Sequence, residues 1–221
     1  MERHGRESRS RGETGAGRVR SVAGQDGDTA SAAYTERLTR RSGARWKQLL
    51  DVQAPYRWNL RRILGERRTL DVGCGIGRNL YNLPAGSLGV DHNATSVQQC
   101  REAGLSAMTS DEFLAQDPAE HGGFGGLLAA HVVEHLPADG AVDVIAPYLP
   151  YLAPDAKIVL ICPQERGFAS DPTHTVFTDQ TRLGGIARDL GLRVEKQYSF
   201  PLPRFTGKVF TYNEFVTVAA R

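Results

Sequence analysis

The sequence predicts an α/β fold, a mostly parallel sheet with helices on both faces. Three observations lead there. Short apolar strands alternate with helical stretches from residue 69 onward, the pattern of a parallel sheet covered on both sides. A glycine run, Gly73-Cys74-Gly75-Ile76-Gly77, ends the first strand. An acid, Asp91, closes the second strand about twenty residues further on.

The 221 residues suffice for one such domain and a tail. Residues 1–33 are rich in Gly, Arg, Ser and Glu, with Val19 and Val22 almost alone as aliphatics. Such a segment cannot bury enough to offset its ordering entropy, so a disordered tail is expected. Its six arginines are balanced by five acids, which weakens its reading as a basic arm. Residues 34–68 predict an N-terminal helical extension. Leu38, Trp46, Leu49 and Leu50, then Tyr56, Leu60, Ile63 and Leu64, follow broadly helical spacing, with Pro55 at a break or first turn.

Residues 69–221 predict the main domain. A strand over 69–72 is followed by a helix from Gly77 and a strand over 87–91. A helix over 94–103, closed by Gly104, precedes a short strand at 105–109 and a short helix at 112–115. A strand over 125–130 follows, then a helix broken by Pro147 and Pro150, then a strand over 157–162. Thr178 or Asp179 caps a helix that ends before Gly191. Strands over 193–200 and 210–219 complete the pattern.

The glycine turn points to chemistry. A chain leaving a buried strand must bend at once, and glycine permits the dihedrals while removing a Cβ that would collide with a ligand. Backbone and the helix N-terminus can then approach a cofactor closely, and an acid ending the next strand can accept ribose hydroxyls. A dinucleotide site uses G-x-G-x-x-G. Here the spacing is G-x-G-x-G, Arg78 holds the third-glycine position, and Asp71 precedes the first glycine by two residues. That acid would repel a pyrophosphate and suit a cation.

The stretch Leu70–Gly77, LDVGCGIG, resembles at every position the first motif of the class I S-adenosylmethionine-dependent methyltransferases, small-molecule type. The resemblance implies a Rossmann-like three-layer sandwich with a seven-stranded sheet, ordered 3-2-1-4-5-7-6 and with its last strand antiparallel. It implies S-adenosylmethionine as cofactor, with S-adenosylhomocysteine as product. Asp71 would face the cationic amino-acid end, Gly73, Gly75 and Gly77 would form the turn, and Asp91 with His92 beside it would meet the ribose. Asp111, with Glu112 in reserve, would bond the adenine amino group; Asp111 could equally cap the short helix that follows.

Residues 130–136, AHVVEHL, resemble the family's HVLEHL motif. The likeness implies that His131 runs along the methionine part of the cofactor, with Glu134 and His135 near the acceptor and His135 able to serve as base. After the fifth strand, Asp171 could orient His174 as a second base, with Glu165, Arg166 and Tyr212 as further substrate contacts. Tyr34, Trp46, Tyr56 and Trp58 are candidates for a lid. The letters H-x-x-E-H also match a metalloprotease helix, but this segment leaves a strand of a cofactor domain. Some family members hold a divalent metal near this point through an acid-rich motif. His131 stands in place of one of those acids, so no metal is expected.

Net charge is +2, which gives no global bias toward nucleic acid. Its distribution is uneven: residues 37–68 hold ten Lys/Arg and two acids, residues 69–150 two Arg and ten acids. This favours a solvated helical face, or an entry surface for an anionic, phosphate-bearing acceptor. Three widely spaced cysteines indicate neither disulfides nor a zinc knuckle. With no long apolar run and no signal-peptide core, a cytoplasmic protein without a membrane span is expected. The sequence reading is therefore O-methylation of a small polar or phosphate-bearing metabolite by an S-adenosylmethionine-dependent enzyme. Its rivals are an RNA or protein methyltransferase docking through residues 37–68, a nicotinamide oxidoreductase, and a non-catalytic cofactor-binding protein.

Overall fold

The computed structural model describes residues 54–221. The predicted tail, the first part of the extension, and Tyr34 and Trp46 lie outside the described residues. Seven strands form one sheet: β1 (Thr69–Val72), β2 (Leu88–Asp91), β3 (Ala107–Thr109), β4 (Phe124–Ala130), β5 (Leu152–Pro163), β6 (Arg193–Phe200) and β7 (Glu214–Ala220). Their order is β3-β2-β1-β4-β5-β7-β6, and β7 runs antiparallel to both neighbours. The order and the reversed last strand are those implied by the first-motif resemblance.

Helices α1 (Ala54–Leu64), α2 (Ala94–Glu102), α3 (Ser110–Leu114), α4 (Pro118–His121), α5 (Gly140–Ile145), α6 (Glu165–Phe168) and α7 (Gln180–Asp189) surround the sheet. Strand residues alternate between two apolar layers, as the pleat requires. Leu127, Ile158 and Leu160 join Leu183 of α7 and Ile145 of α5 on one face. Leu128, Val159 and Ile161 join Leu60 and Leu64 of α1 on the other. Thus α1 is held by burial of its apolar stripe, while Trp58 is 56% exposed and stacks on Phe200.

Several elements differ from the sequence expectation. No α-helix follows β1; the crossover contains one 3-10 turn, Leu80–Asn82. Pro84 explains the stop, because it drives the preceding Leu83 to extended dihedrals (φ −92°, ψ 154°). The segment predicted as a broken helix is α5 followed by a 3-10 stretch, Ala146–Tyr151, that accommodates Pro147 and Pro150. The last strand starts at Glu214, since Asn213 is drawn out of the ladder by side-chain bonds to Ser199 and the Pro203 carbonyl. Asp179, not Thr178, caps α7, accepting from the Arg182 amide.

Candidate active site

β1, β2 and β4 are parallel neighbours and end at one edge of the sheet, the edge where ligands bind in open α/β sheets. Gly73 and Gly77 have φ of +72° and +79°. A Cβ on Gly73 would lie 2.4 Å from Cγ2 of Val132, and one on Gly77 2.5 Å from Cδ1 of Leu105. These glycines therefore serve a left-handed backbone and the protein's own packing. The positive φ values are those expected of the turn, whereas the space of the missing Cβ atoms at Gly73 and Gly77 is taken by Val132 and Leu105 and not left for a ligand. The amides of the turn are also engaged: those of Gly73 and Cys74 donate to the Val90 carbonyl, that of Gly75 to Asp91. The predicted helix N-terminus is absent as well.

Two carboxylates stand there. Asp91 is buried, and its oxygens accept from the Gly75 and Asn93 amides, each at 2.8 Å. These bonds fix the carboxylate and leave further lone pairs for hydroxyl donors. His92 lies beside it, Nδ1 3.4 Å from Oδ1. Asp71 is 1% exposed. Its Oδ1 accepts from Asn79 Nδ2 at 3.3 Å, whereas Oδ2 is buried with no partner. Burial raises its pKa to about 7, against the Asn79 bond and with help from the Asp91 charge. A buried acceptor left unsatisfied costs about 1–3 kcal/mol, and a cationic ligand would remove that cost. Asn79 in turn accepts from the Tyr56 hydroxyl at 3.1 Å, which ties α1 to the turn. Burial, and then the charges of Glu214 and Asp71, hold the Tyr56 pKa well above the usual tyrosine value.

The loop after β3 sorts its two acids. Thr109 caps α3 in a capping box: Glu112 N donates to Thr109 Oγ1, and Glu112 Oε2 accepts from Thr109 N and from Arg101. Asp111 is therefore not the cap. Glu112 is committed to its own helix and to Arg101, while Asp111 beside it is exposed. Tyr148 is held near this point, with Asp91 and Asp111 both raising its pKa beyond the effect of burial.

The second half of the site follows β4. His131 is the one non-glycine residue with positive φ among those described, at +60°, a conformation that costs about 1 kcal/mol or more. Its ring lies between two acids, with Nδ1 3.1 Å from Glu134 and Nε2 2.8 Å from Glu214. Burial alone would lower its pKa; the two carboxylates override that and raise it to about 10. Both ring nitrogens thus donate within the protein, and 42% of the side-chain surface stays exposed. Glu134 has a side chain only 1% exposed. Burial favours its neutral form, yet the His131 charge keeps its pKa below the usual glutamate value. Its second oxygen accepts from Cys162.

The segment after α6 docks here through the backbone. The amides of Thr175 and Val176 both donate to the Glu134 carbonyl, which brings the His135 and His174 rings to a centroid separation of 4.8 Å. His135 Nδ1 donates to the Thr173 carbonyl and His174 Nδ1 to the Phe168 carbonyl. In the neutral tautomer that these bonds select, the lone pair lies on Nε2. Burial lowers the His135 pKa, with Glu134 opposing. The predicted Asp171–His174 pairing is not the arrangement found. Asp171 Oδ1 accepts from Thr173 N and Oγ1 in a turn, and a backbone carbonyl orients His174. Phe168 stacks on His174 at 5.2 Å and meets Phe177 edge-on. Glu165 pairs with Arg204, and Tyr212 is 40% exposed.

Sequence reasoning missed Asn79, Glu214 and Cys162, and gave Tyr56 no partner. Glu214 carried a faint signal, an acid at the head of an apolar run. Only the antiparallel return of β7 places it opposite Pro163 and beside the end of β4.

No family model and no curated protein match the chain. Solved structures do. An S-adenosylmethionine-dependent methyltransferase from Archaeoglobus fulgidus is 24% identical with a TM-score of 0.58, over 75% of this chain and 93% of that one. Magnesium protoporphyrin IX methyltransferase from Synechocystis, with S-adenosylhomocysteine bound, is 16% identical with a TM-score of 0.60, over 88% and 97%. A TehB-like methyltransferase from Corynebacterium glutamicum is 21% identical with a TM-score of 0.58, over 86% and 100%. The fold is that of class I methyltransferases.

Proposed function

We propose that the protein is an S-adenosylmethionine-dependent methyltransferase that methylates an oxygen of a small molecule. The observation that carries this reading is the buried, unpartnered Asp71 oxygen beside the preoriented Asp91 carboxylate. One acid awaits a cation, and the other offers lone pairs to hydroxyls; an amino-acid nucleoside brings both. Bound there, S-adenosylmethionine would supply a methyl group already activated by its sulfonium sulfur.

The rest falls to the chain's own residues. Asp71 accepts the ligand's ammonium, Asp91 its ribose hydroxyls and Asp111 its adenine amino group, with the turn at Gly73, Gly75 and Gly77 shaping the bed. His135 and His174, each with its Nδ1 proton on a backbone carbonyl, present acceptor nitrogens able to take a proton from an attacking hydroxyl. The lowered pKa of His135 keeps that ring neutral and basic at pH 7. Alignment of the acceptor supplies much of the remaining acceleration. Phe168 and Phe177 give this side an aromatic wall. The small-molecule class accords with the porphyrin methyltransferase among the similar structures. At the described end of the basic segment, Arg62 and Arg68 lie over the Trp58 and Phe124 rings, while Arg61 is exposed. Among the described residues no helix is long and apolar enough to cross a membrane.

Calorimetry with S-adenosylmethionine and S-adenosylhomocysteine tests the reading. Wild type binds both with micromolar affinity, and Asp91→Ala loses at least about tenfold, or 1.4 kcal/mol. An unchanged affinity in Asp91→Ala, or binding of a pyridine nucleotide in their place, would sink it.

A further inference from the structure

We propose that residues 201–213, the loop joining β6 to β7, dock the protein onto an anionic phospholipid bilayer, with Phe205 and Val209 entering its surface. The loop holds Leu202, Phe205, Val209, Phe210 and Tyr212, five of the nine large exposed apolar side chains among the described residues. Phe205 is 74% and Val209 78% exposed. Single exposed apolar residues are ordinary on a protein surface, whereas a concentration of them marks an interaction site.

The exposure rests on a fixed base. Gln164 and Asn213 are fully buried beneath the loop. Asn213 Nδ2 donates to Gln164 Oε1 at 3.0 Å and to Ser199 Oγ at 2.9 Å, and Asn213 Oδ1 accepts from the Leu202 amide at 2.9 Å. Gln164 Nε2 donates to the Glu214 carbonyl at 2.9 Å. The 3-10 turn Arg204–Lys208 sits directly on this network, for a Cβ on Gly207 would have no room beside Gln164 Oε1. Arg204 pairs with Glu165 and lies over the Phe215 ring. A satisfied buried network rigidifies what it holds, so the apolar side chains are presented to water by a rigid support.

The charges select the partner. Residues 201–213 contain Arg204 and Lys208 and no acid. On α6, Arg166 is exposed and Glu165 is taken by Arg204. Trp58 of α1 stacks on Phe200, where the loop begins, and α1 carries Arg57, Arg61 and Arg62 and again no acid. Aromatic and aliphatic side chains flanked by cations are the composition of a membrane-surface anchor, and anionic headgroups complement the cations. A second copy seated on this loop by two-fold symmetry would set its cations against each other. The loop also stands at the ligand edge of the sheet, since it ends at Glu214 opposite Pro163 of β5. A Cβ on Gly167 of α6 would lie 2.6 Å from the Thr211 carbonyl, and Phe168 of the same helix stacks on His174. Docking therefore brings the histidine side of the site to the bilayer, from which a lipophilic acceptor can enter; this last step alone rests on the methyltransferase reading.

The test uses the full, untagged chain and vesicles of equal parts phosphatidylcholine and phosphatidylglycerol, with pure phosphatidylcholine vesicles for comparison. Cosedimentation should show partitioning at least about tenfold stronger onto the anionic vesicles, weakened by salt. Phe205→Ser combined with Val209→Ser should lose at least about tenfold. Lys208→Gln should lose about fivefold, the effect of one cation near the surface. Circular dichroism and S-adenosylhomocysteine calorimetry without vesicles should match wild type in both variants. Phe205→Trp should add an emission that shifts to the blue on anionic vesicles only. Wild type that ignores anionic vesicles, or a double serine variant that binds them as wild type does, overturns the docking surface. So does an added emission already blue in free protein, the sign that another segment or a second copy covers the loop. A chain that binds the nucleoside but no vesicles loses this proposal alone. One that binds vesicles but no nucleoside keeps it and loses the methyltransferase reading.

Discussion

Asp71 and Glu134 are two buried acids at the same edge of the sheet, and their partners differ. Asp71, at β1, has one oxygen without a partner and a pKa raised to about 7. Glu134, after β4, is as deeply buried, yet His131 and Cys162 occupy its oxygens and its pKa is lowered. The protein completes the charge balance of the second acid internally and leaves that of the first open. Burying a charge is costly unless it is paired, and under the proposed function the ligand's ammonium brings the opposite charge to the open balance. The closed one marks where the protein holds a side chain in register for chemistry.

The sharpest way to break this contrast is Asp71→Asn. The variant keeps an acceptor for Asn79 and removes the charge. Affinity for S-adenosylmethionine should fall by at least about a hundredfold, or 2.7 kcal/mol, the scale of a charge-assisted bond. Yet the ligand-free variant should melt higher than wild type at pH 8, because the uncompensated carboxylate is gone. Loss of binding with gain of stability is the signature of a site kept for function. If stability drops with affinity, Asp71 is a structural acid.

The same acid sets a pH dependence. The folded chain holds the Asp71 proton up to about pH 7, while the unfolded chain releases it near the ordinary 3.8. Folded protein thus binds more protons across that window, and Asp71's contribution makes stability fall as pH rises from about 4 to 7, with a slope of up to 1.4 kcal/mol per unit, and then level off. Urea unfolding of ligand-free wild type against Asp71→Asn isolates it: the difference should grow over that range and stay constant above it.

On the closed side the expected effect is of opposite sign and about 1–3 kcal/mol, the cost of a lost charged hydrogen bond. Glu214→Gln leaves His131 with one carboxylate. A histidine whose pKa is raised to about 10 stabilises the fold fully below its ordinary 6.5, and that contribution is lost as pH climbs through 10. Urea midpoints should therefore show a larger penalty at pH 6 than at pH 10. A penalty equal at both would take His131 out of the balance.

The two halves were not equally legible. The cofactor half lies in one continuous stretch, so Asp71, the glycine turn and Asp91 could be read from spacing and strand ends. What misled there was local: Pro84 cancels the helix after the turn, and Thr109 takes the cap that Asp111 was offered. The acceptor half is assembled from segments more than 30 residues apart, such as Glu134 and the Thr175 amide. His135 and His174 announced themselves by residue type. Their partners, two backbone carbonyls, could not, because every residue carries one. Glu214 needed the strand order before it could be seen as a neighbour of His131.

The smallest test concerns Tyr56, the link between α1 and the open half. Its hydroxyl donates to Asn79 Oδ1, and Asn79 Nδ2 donates to Asp71 Oδ1. Tyr56→Phe removes one neutral bond and leaves the ring in place, so stability should fall by about 0.5–1.5 kcal/mol. The informative quantity is where the effect goes. Asn79 loses the donor that holds its amide in orientation, and Asp71 Oδ1 then shares the freedom of Oδ2. Affinity for S-adenosylmethionine should fall by about threefold to tenfold, the same range expressed as binding. Asn79→Ala should fall further, and the double variant should show no added loss from Tyr56→Phe, because the hydroxyl acts through Asn79 alone. Additive losses in that cycle would mean that Tyr56 touches the ligand itself, and the helical extension would then belong to the binding surface and not to its support.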